Sequence, residues 1–173
     1  MNRFHRFWKR VVDVLDPTGD WVALLPIRLL MAYEFGKAGL MKLSSSDTLW
    51  GDVPNWFANS LEGFPFPISL FSASFNWFMV TWIEILGGFA LLAGLFTRFW
   101  AFSLIIVTWV AIVGVHWPDD YSSFAELWKG YAVSDKGFGN YRIPLLFLAM
   151  LVPLVFKGAG KLSLDHVLAK RFK

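Results

Sequence analysis

The apolar stretch at residues 71–96 contains one charged residue, Glu84, near its middle. This stretch is long enough to cross a membrane as a helix, which takes roughly 20 apolar residues. A carboxylate at the centre of a bilayer costs several kcal/mol unless it faces a cavity or a partner, so such residues usually carry function. We therefore predict a membrane protein in which Glu84 faces the protein interior.

Three further apolar stretches, at residues 21–43, 99–117 and 141–156, predict additional spanning helices in a chain that is 56% hydrophobic. One domain of four spans accounts for residues 1–173. The predicted fold is all-α: an integral membrane four-helix bundle with short interfacial amphipathic helices in the outer loops and at both termini. The N-terminal helix is expected at residues 3–15, where apolar and basic residues occupy opposite faces. The C-terminal helix is expected at residues 163–172, where Ser163 can act as a cap.

The positive charges predict the orientation of the four spans. Ten Lys and Arg residues fall on the side of the two termini and four on the other side. Because basic residues concentrate in cytoplasmic loops, both termini are expected in the cytoplasm. These charges adjoin the spans, so they indicate contact with membrane lipids, and no nucleic-acid partner is expected.

Cysteine is absent from the chain. Disulfides, thiolate nucleophiles and cysteine-ligated iron–sulfur clusters are therefore excluded for this polypeptide. The sequence also lacks a Gly-rich phosphate loop, a nucleophile elbow and an HExxH motif. We expect no thiol, hydrolase or nucleotide-driven chemistry.

The first predicted span carries four charged residues. On a helical wheel, Arg28 and Lys42 share one stripe, whereas Glu34 and Lys37 share a nearly opposite one. The i to i+3 spacing of Glu34 and Lys37 allows them to neutralise each other, which leaves Arg28 in need of a partner. We predict a buried Arg28–Glu84 ion pair, which either organises a site or only fixes the register of the two helices.

Both predicted outer loops contain a short aromatic helix, one with Trp56 and Phe57 and the other with Phe124 and Trp128. Aromatic residues of this kind either form an interfacial belt or cover the mouth of the bundle as lids. If they are lids, they surround an opening toward Glu84, with His116 and Arg142 at its rim. A single His is a candidate for proton exchange and only a weak candidate metal ligand, so no metal site is predicted.

Five segments of the sequence occur in a characteristic order and spacing: residues 28–30, 38–43, 84–88, 94–98 and 158–165. Their resemblance to the DoxX family of small four-helix bacterial membrane proteins covers nearly the whole chain. It implies location in the bacterial cytoplasmic (inner) membrane, among relatives that include a quinone-linked thiosulfate-oxidising subunit and members of redox-stress complexes.

Four other segments resemble a branch of the family that is encoded beside enzymes modifying metal-binding peptides: residues 32–35, 55–57, 64–67 and 115–118. This resemblance implies a role in copper or oxidative stress, with redox or peptide-modifying proteins as partners. The missing cysteine departs from any thiol-based role of relatives.

The resulting hypothesis is an accessory subunit that binds a lipid-soluble redox molecule, a quinone, without a covalent cofactor. At most it is a subunit of a quinone-linked membrane oxidoreductase. His116, Glu34 and Glu84 are the proton-handling candidates, and the ligand-binding candidates are Arg28, Glu84, Trp56, Phe57, Phe124, Trp128 and Arg142. The alternatives are a non-enzymatic membrane scaffold that recruits partner proteins and a small-solute transporter; no inverted repeat supports the transporter.

Overall fold

A computed structural model describes residues 2–44, 48–50, 52–118, 121–128 and 140–172. These ranges contain helices and no strand, which confirms the all-helical fold class. The α-helices are α1 (Arg3–Val22), α2 (Leu25–Ser44), α3 (Asn55–Asn59), α4 (Ala73–Ala93), α5 (Thr97–Ala111), α6 (Phe124–Leu127), α7 (Arg142–Lys157) and α8 (Leu164–Arg171). Two 3₁₀ turns, at Ser60–Gly63 and Ile68–Leu70, precede α4, and a π-helical turn at Ile112–His116 extends α5.

The long helices α2, α4, α5 and α7 pack around a common core. Helix α4 contacts α2 and α5, and α7 contacts α5 and α2. The core side chains come from all four helices and are fully buried at Met31, Leu91, Leu104, Leu151 and Leu154. The apolar stripes of the four helices therefore face one another.

Glycines allow α2 and α4 to pack with their backbones in contact. A Cβ atom on Gly88 would lie 2.7 Å from the Cα of Gly36, and one on Gly39 would lie 2.8 Å from the backbone nitrogen of Ile85. Small residues at these positions permit close approach of two helices. The contacts define an antiparallel register, in which the end of α2 lies beside the middle of α4.

Two of the described helices are long and apolar enough to cross a membrane, namely Ala73–Ala93 and the helix Thr97–His116 formed by α5 and its π turn. Helix α2 has the length but carries four charged residues, and α7 has only 16 residues. Large apolar side chains on the outer surfaces of α4 and α5 are exposed, including Phe89 and Phe102. Length, composition and surface agree with a membrane environment for these two helices.

The terminal helices differ in how they are attached. Helix α1 has no buried residue and extends past the predicted end at residue 15 and through Pro17. Helix α8 begins as predicted, because the Ser163 hydroxyl accepts a hydrogen bond from the backbone N–H of His166 at 3.2 Å. Of the short aromatic helix predicted in the second outer loop, α6 is described, whereas residues 129–139 lie outside the described ranges.

Candidate functional site

The predicted Arg28–Glu84 ion pair is wrong. Glu84 Oε2 lies 2.6 Å from Lys42 Nζ, and Arg28 Nη1 instead donates to the carbonyl oxygen of Ala159 at 2.7 Å. Arg28 and Lys42 lie on the same stripe of α2, but 14 residues of helix separate them by about 21 Å. A helical wheel gives the direction of a side chain and not its height along the axis. The antiparallel register of α2 and α4 then brings Lys42, not Arg28, to the height of Glu84.

A cavity of about 400 Å³ lies beside the Lys42–Glu84 pair. It is bounded by α3, the first half of α4, the end of α5 with its π turn, and the segment between α3 and α4. Four polar residues line it: Lys42, Asn76, Glu84 and His116. The rest of the lining is apolar: Trp56, Phe57, Phe64, Ile68, Phe71, Phe75, Trp77, Met79, Val80, Ile83, Ile106, Val107, Val110, Ala111 and Val115.

Helix α4 positions one wall of the cavity through residues on one helical face. Its first turn is fixed by the Ser72 hydroxyl, which accepts a hydrogen bond from the Phe75 N–H at 3.2 Å. One turn further on, the Asn76 amide donates to the carbonyls of Ile68 and Phe71 at 3.1 and 3.2 Å, which holds the preceding segment against α4. Glu84 follows Asn76 by eight residues, so it projects from the same face.

Aromatic side chains of α3, α4 and the segment between them form one part of the cavity wall. Phe57 and Phe64 are buried and pack edge to face, with ring centroids 5.4 Å apart. Phe57 also packs against Trp77 at 4.9 Å, and Trp56 packs against the same indole at 6.0 Å. Such edge-to-face contacts fix the rings more firmly than apolar burial alone. This part of the cavity therefore has rigid aromatic walls.

The Lys42–Glu84 pair supplies the charged part of the cavity wall. The Glu84 side chain is 9% exposed and that of Lys42 is 22% exposed, and the ammonium also lies 5.9 Å from the centroid of the Trp77 ring. The two opposite charges lie side by side, so the cavity wall presents a charged hydrogen-bond donor next to a charged acceptor. This arrangement can orient the polar head of an otherwise apolar ligand.

His116 is the second candidate proton-handling group at the cavity. It ends the π-helical turn after α5, and its Nδ1 atom contacts the Oδ1 atom of Asn140. Glu34, the third proton-handling candidate, is half-buried on α2 and does not line the cavity. The described residues contain no group of three or more His, Asp and Glu that could hold a metal ion.

The other predicted ligand-binding residues form a separate cluster at α6 and the start of α7. Phe124 and Trp128 stack with centroids 6.1 Å apart, and the guanidinium carbon of Arg142 lies 4.8 Å from the Trp128 ring centroid. Arg142 also donates to the Trp128 carbonyl at 3.1 Å. These three residues are not among the described residues that line the cavity. The structure thus brings together Glu84, His116, Trp56 and Phe57, and places Phe124, Trp128 and Arg142 elsewhere.

Sequence reasoning did not identify three residues of this site: Lys42 as the partner of Glu84, Asn76 and Trp77. A signal for two of them was present, because Trp77 and Asn76 precede Glu84 by seven and eight residues and share its face of α4. Lys42 could not be assigned without the register of α2 against α4.

Arg28 lies at the other end of α2, in a set of interhelix contacts that we call the Arg28 joint. The joint connects the α4–α5 turn with the α7–α8 turn. The Asp165 carboxylate accepts hydrogen bonds from the N–H groups of Phe96 and Thr97 at 2.7 and 3.0 Å, and the Asp165 N–H donates to the Gly94 carbonyl at 2.8 Å. The carboxylate therefore caps α5 from another part of the chain.

The same end of the protein also holds the junction of α1 and α2. The Lys161 N–H donates to the Asp20 carbonyl at 3.1 Å, and the two side chains form an exposed ion pair at 2.8 Å. The hydrogen bond and charge of Lys161 lower the pKa of the Asp20 carboxyl from its ordinary value. Three interhelix turns are thereby gathered at the Arg28 end.

Two long apolar helices with exposed apolar side chains are features of a small helical membrane protein. Comparison with known proteins makes the assignment specific: residues 23–117 match the DoxX family. An uncharacterized protein of Haemophilus influenzae is 38% identical over 152 residues, which cover 88% of this chain and 87% of the relative. The chain belongs to the DoxX family. No solved structure matches it.

Proposed function

We propose that this chain is a bacterial inner-membrane protein in which α2, α4, α5 and α7 form a four-helix transmembrane bundle with both termini in the cytoplasm. The asymmetry of basic residues, ten against four, supports the orientation. The hydrogen bonds from Lys161 to Asp20 and from Asp165 to Gly94 support a shared side for the two terminal segments. In this orientation, the cavity beside Glu84 is close to the outer leaflet.

Within the membrane, the protein binds a lipid-soluble redox molecule, a quinone, as the accessory subunit of a redox system. The observation that carries this proposal is the aromatic cavity of about 400 Å³ that ends on the Lys42–Glu84 pair. Small-molecule sites are typically apolar, occupy roughly 300–1,000 Å³ and contain a few placed polar groups. A ring with two carbonyl oxygens and an apolar tail matches this combination.

The residues of the cavity have distinct parts in holding such a ligand. Phe57, Phe64 and Trp77 contact the faces and edges of the ring and exclude water. The Lys42 ammonium donates a hydrogen bond to one carbonyl oxygen, and Glu84 keeps that ammonium in position. His116 lies on the cavity wall, where it can accept or return a proton. A bound quinone supplies the capacity to accept and release electrons, and a partner protein exchanges them.

The pathway proposed for the protein is copper or oxidative stress, with redox or peptide-modifying proteins as partners. The resemblance of residues 32–35, 55–57, 64–67 and 115–118 to one branch of the family supports this part of the proposal. Since the chain has no cysteine, thiol chemistry in such a pathway would take place on the partner.

The binding proposal is tested with purified protein in detergent and a short-tailed ubiquinone. Quenching of tryptophan fluorescence should saturate, because Trp56 and Trp77 line the cavity, and the ligand should raise the melting temperature by mass action. Lys42→Met should raise the dissociation constant at least tenfold, which corresponds to about 1.4 kcal/mol. Lys157→Met, an exposed cation at the end of α7, serves as the control and should bind as the wild type does.

Two results would contradict quinone binding. One is the absence of saturable quenching in folded wild-type protein, and the other is equal affinity in wild type, Lys42→Met and Glu84→Gln. Either result would favour the scaffold function, in which the Lys42–Glu84 pair only fixes the register of α2 against α4.

A further inference from the structure

The outer side of α2 carries two charges, on the half-buried Glu34 and the exposed Lys37, that the described part of the chain does not neutralise with an ion pair. Of the four charged residues of α2, Arg28 and Lys42 have the partners described above. The predicted pair of Glu34 with Lys37 is not formed, and neither residue makes an ion pair with any part of the chain that the structure describes. The Lys37 ammonium instead lies 5.7 Å from the ring centroid of Tyr33, which is itself 60% exposed.

The direction of the Lys37 side chain makes this charge costly in a membrane. Ser44, the nearer end of α2, is seven residues away, or about 10 Å. A lysine close to the end of a spanning helix usually extends toward the interface. The Lys37 side chain runs the opposite way, back by one turn to Tyr33. An uncompensated charge that is held inside the bilayer in this way is costly.

Lys37 lines an apolar groove of about 550 Å³ on the outer surface of α2 and α4, and Glu34 lies on α2 outside the lining of this groove. Gly36 and Gly88 lie at the closest approach of the two helices, and Leu29, Leu40, Phe89 and Leu92 also line the groove. Grooves with small residues at their base allow a neighbouring helix to approach closely, and close packing is the main source of helix association in lipid.

We propose that this face of α2 is the interface between two copies of the chain, in which Glu34 of each copy pairs with Lys37 of the other. The proposal rests on the proposed insertion of α2 in the membrane. Two copies inserted with the same orientation are related by a two-fold axis along the membrane normal, so their α2 helices run parallel. A two-fold interface is self-complementary, and one glutamate with one lysine per copy yields two equivalent ion pairs.

The axial offset of the two residues fits this symmetry. Glu34 and Lys37 differ in height by about 4.5 Å along the helix axis. The Lys37 side chain leans by one turn toward the start of α2, which brings its ammonium to the height of Glu34. In a parallel pair of α2 helices, each ammonium is therefore level with the carboxylate of the opposite copy. A second copy thus supplies a carboxylate to Lys37 and an ammonium to Glu34.

The first test is disulfide cross-linking, for which a chain without cysteine is well suited. Met41→Cys places a thiol on the exposed face of α2 one turn beyond Lys37, and Phe102→Cys places one on the exposed face of α5. After oxidation in native membranes, the first variant should yield a covalent dimer of the chain and the second should remain a monomer. Monomers from both variants, or cross-linking of Met41→Cys only to a different protein, would overturn the proposal.

The second test changes the charges at the interface. The population of dimers is measured by mass photometry in lipid nanodiscs. Lys37→Glu places four carboxylates at the interface and should weaken dimerisation at least tenfold. Glu34→Gln and Lys37→Met each leave a homodimer without an ion pair, but a mixed dimer of these two variants keeps one Glu34–Lys37 pair in its original geometry, so mixed dimers should exceed their statistical share when the two variants are combined. Absence of this preference, while each variant keeps the helical circular-dichroism signal and cooperative melting of the wild type, would overturn the proposal.

Quinone binding and dimerisation are separately measurable in these variants. A wild-type protein that is dimeric but does not bind the quinone would contradict the proposed function and leave the interface standing. A monomeric wild-type protein that binds the quinone would contradict only the interface.

Discussion

The two ends of the α2–α4 pair each hold a buried charged residue, but their surroundings differ. At one end, Arg28 donates to a backbone carbonyl in a tightly packed joint where a Cβ atom on Gly94 would lie 2.9 Å from its guanidinium. At the other end, Glu84 pairs with Lys42 beside a cavity of about 400 Å³. Both residues belong to segments that resemble the same family.

This difference shows that a buried charge in a membrane helix does not by itself indicate a binding site. A charge surrounded by close-packed backbone connects structural elements, and its removal affects stability. A charge that borders a cavity is accessible to a ligand, so under the proposed function its removal affects binding. We therefore expect substitutions at the Arg28 end to change the free energy of unfolding and those at the Glu84 end to change affinity.

The largest expected effect is that of Gly94→Ala at the Arg28 joint. Gly94 has a φ of +66°, and its Cβ atom would lie 2.6 Å from the Cβ of Ser163. Left-handed strain and steric overlap together should lower the free energy of unfolding by about 2–4 kcal/mol. Gly19→Ala is the matched control, because nothing lies within 4 Å of its Cβ atom. Equal stability of the two variants in chemical denaturation would show that the joint is not tightly packed.

Arg28→Met should lower the free energy of unfolding by a smaller amount, about 1–3 kcal/mol, because it leaves the Ala159 carbonyl without its donor. The loss is moderated by the buried Nε atom of Arg28, which has no hydrogen-bond partner. Affinity for the short-tailed ubiquinone, measured on the folded protein by fluorescence, should stay within twofold of wild type. Weaker binding at unchanged stability would instead support the prediction from the sequence that Arg28 binds the ligand.

The cavity can be filled without touching its polar groups. Ala111 lines the cavity at the end of α5, so Ala111→Phe should occupy the space of the ligand and raise the dissociation constant for the short-tailed ubiquinone about tenfold, or about 1.4 kcal/mol. Ala149→Phe adds the same side chain on the exposed face of α7 and should leave binding unchanged. Unaltered affinity in Ala111→Phe would place the ligand outside this cavity.

The smallest expected effect concerns the exposed Asp20–Lys161 pair. Lys161 lowers the pKa of Asp20 in the folded protein, so the pair stabilises the fold above the unfolded pKa of about 4 and loses its contribution as the pH falls through the native pKa. The difference in melting temperature between wild type and Asp20→Asn should therefore be present at neutral pH and vanish in acid. A melting-temperature difference that grows as the pH falls would contradict this prediction.

The all-helical class was predictable from the sequence, because long apolar stretches without strand-like alternation leave helices as the elements that satisfy their own backbone in lipid. The Ser163 cap was predictable for a local reason, since a cap depends on residues within one turn. The burial of Glu84 also followed from its position within an apolar stretch, and its side chain is 9% exposed in the structure.

The partners of the charged residues were not predictable, and the physical reason is the register between helices. Helical periodicity states which residues share a face, but the height at which two helices meet depends on where glycines such as Gly36, Gly39 and Gly88 let the backbones touch. That height places Lys42 beside Glu84 and Arg28 beside Ala159, and within the described ranges it leaves Glu34 and Lys37 without an ion pair. The sequence alone thus determined the helices and their charged residues, whereas only the tertiary structure decided which charges form a joint, which border a cavity and which remain for a second copy.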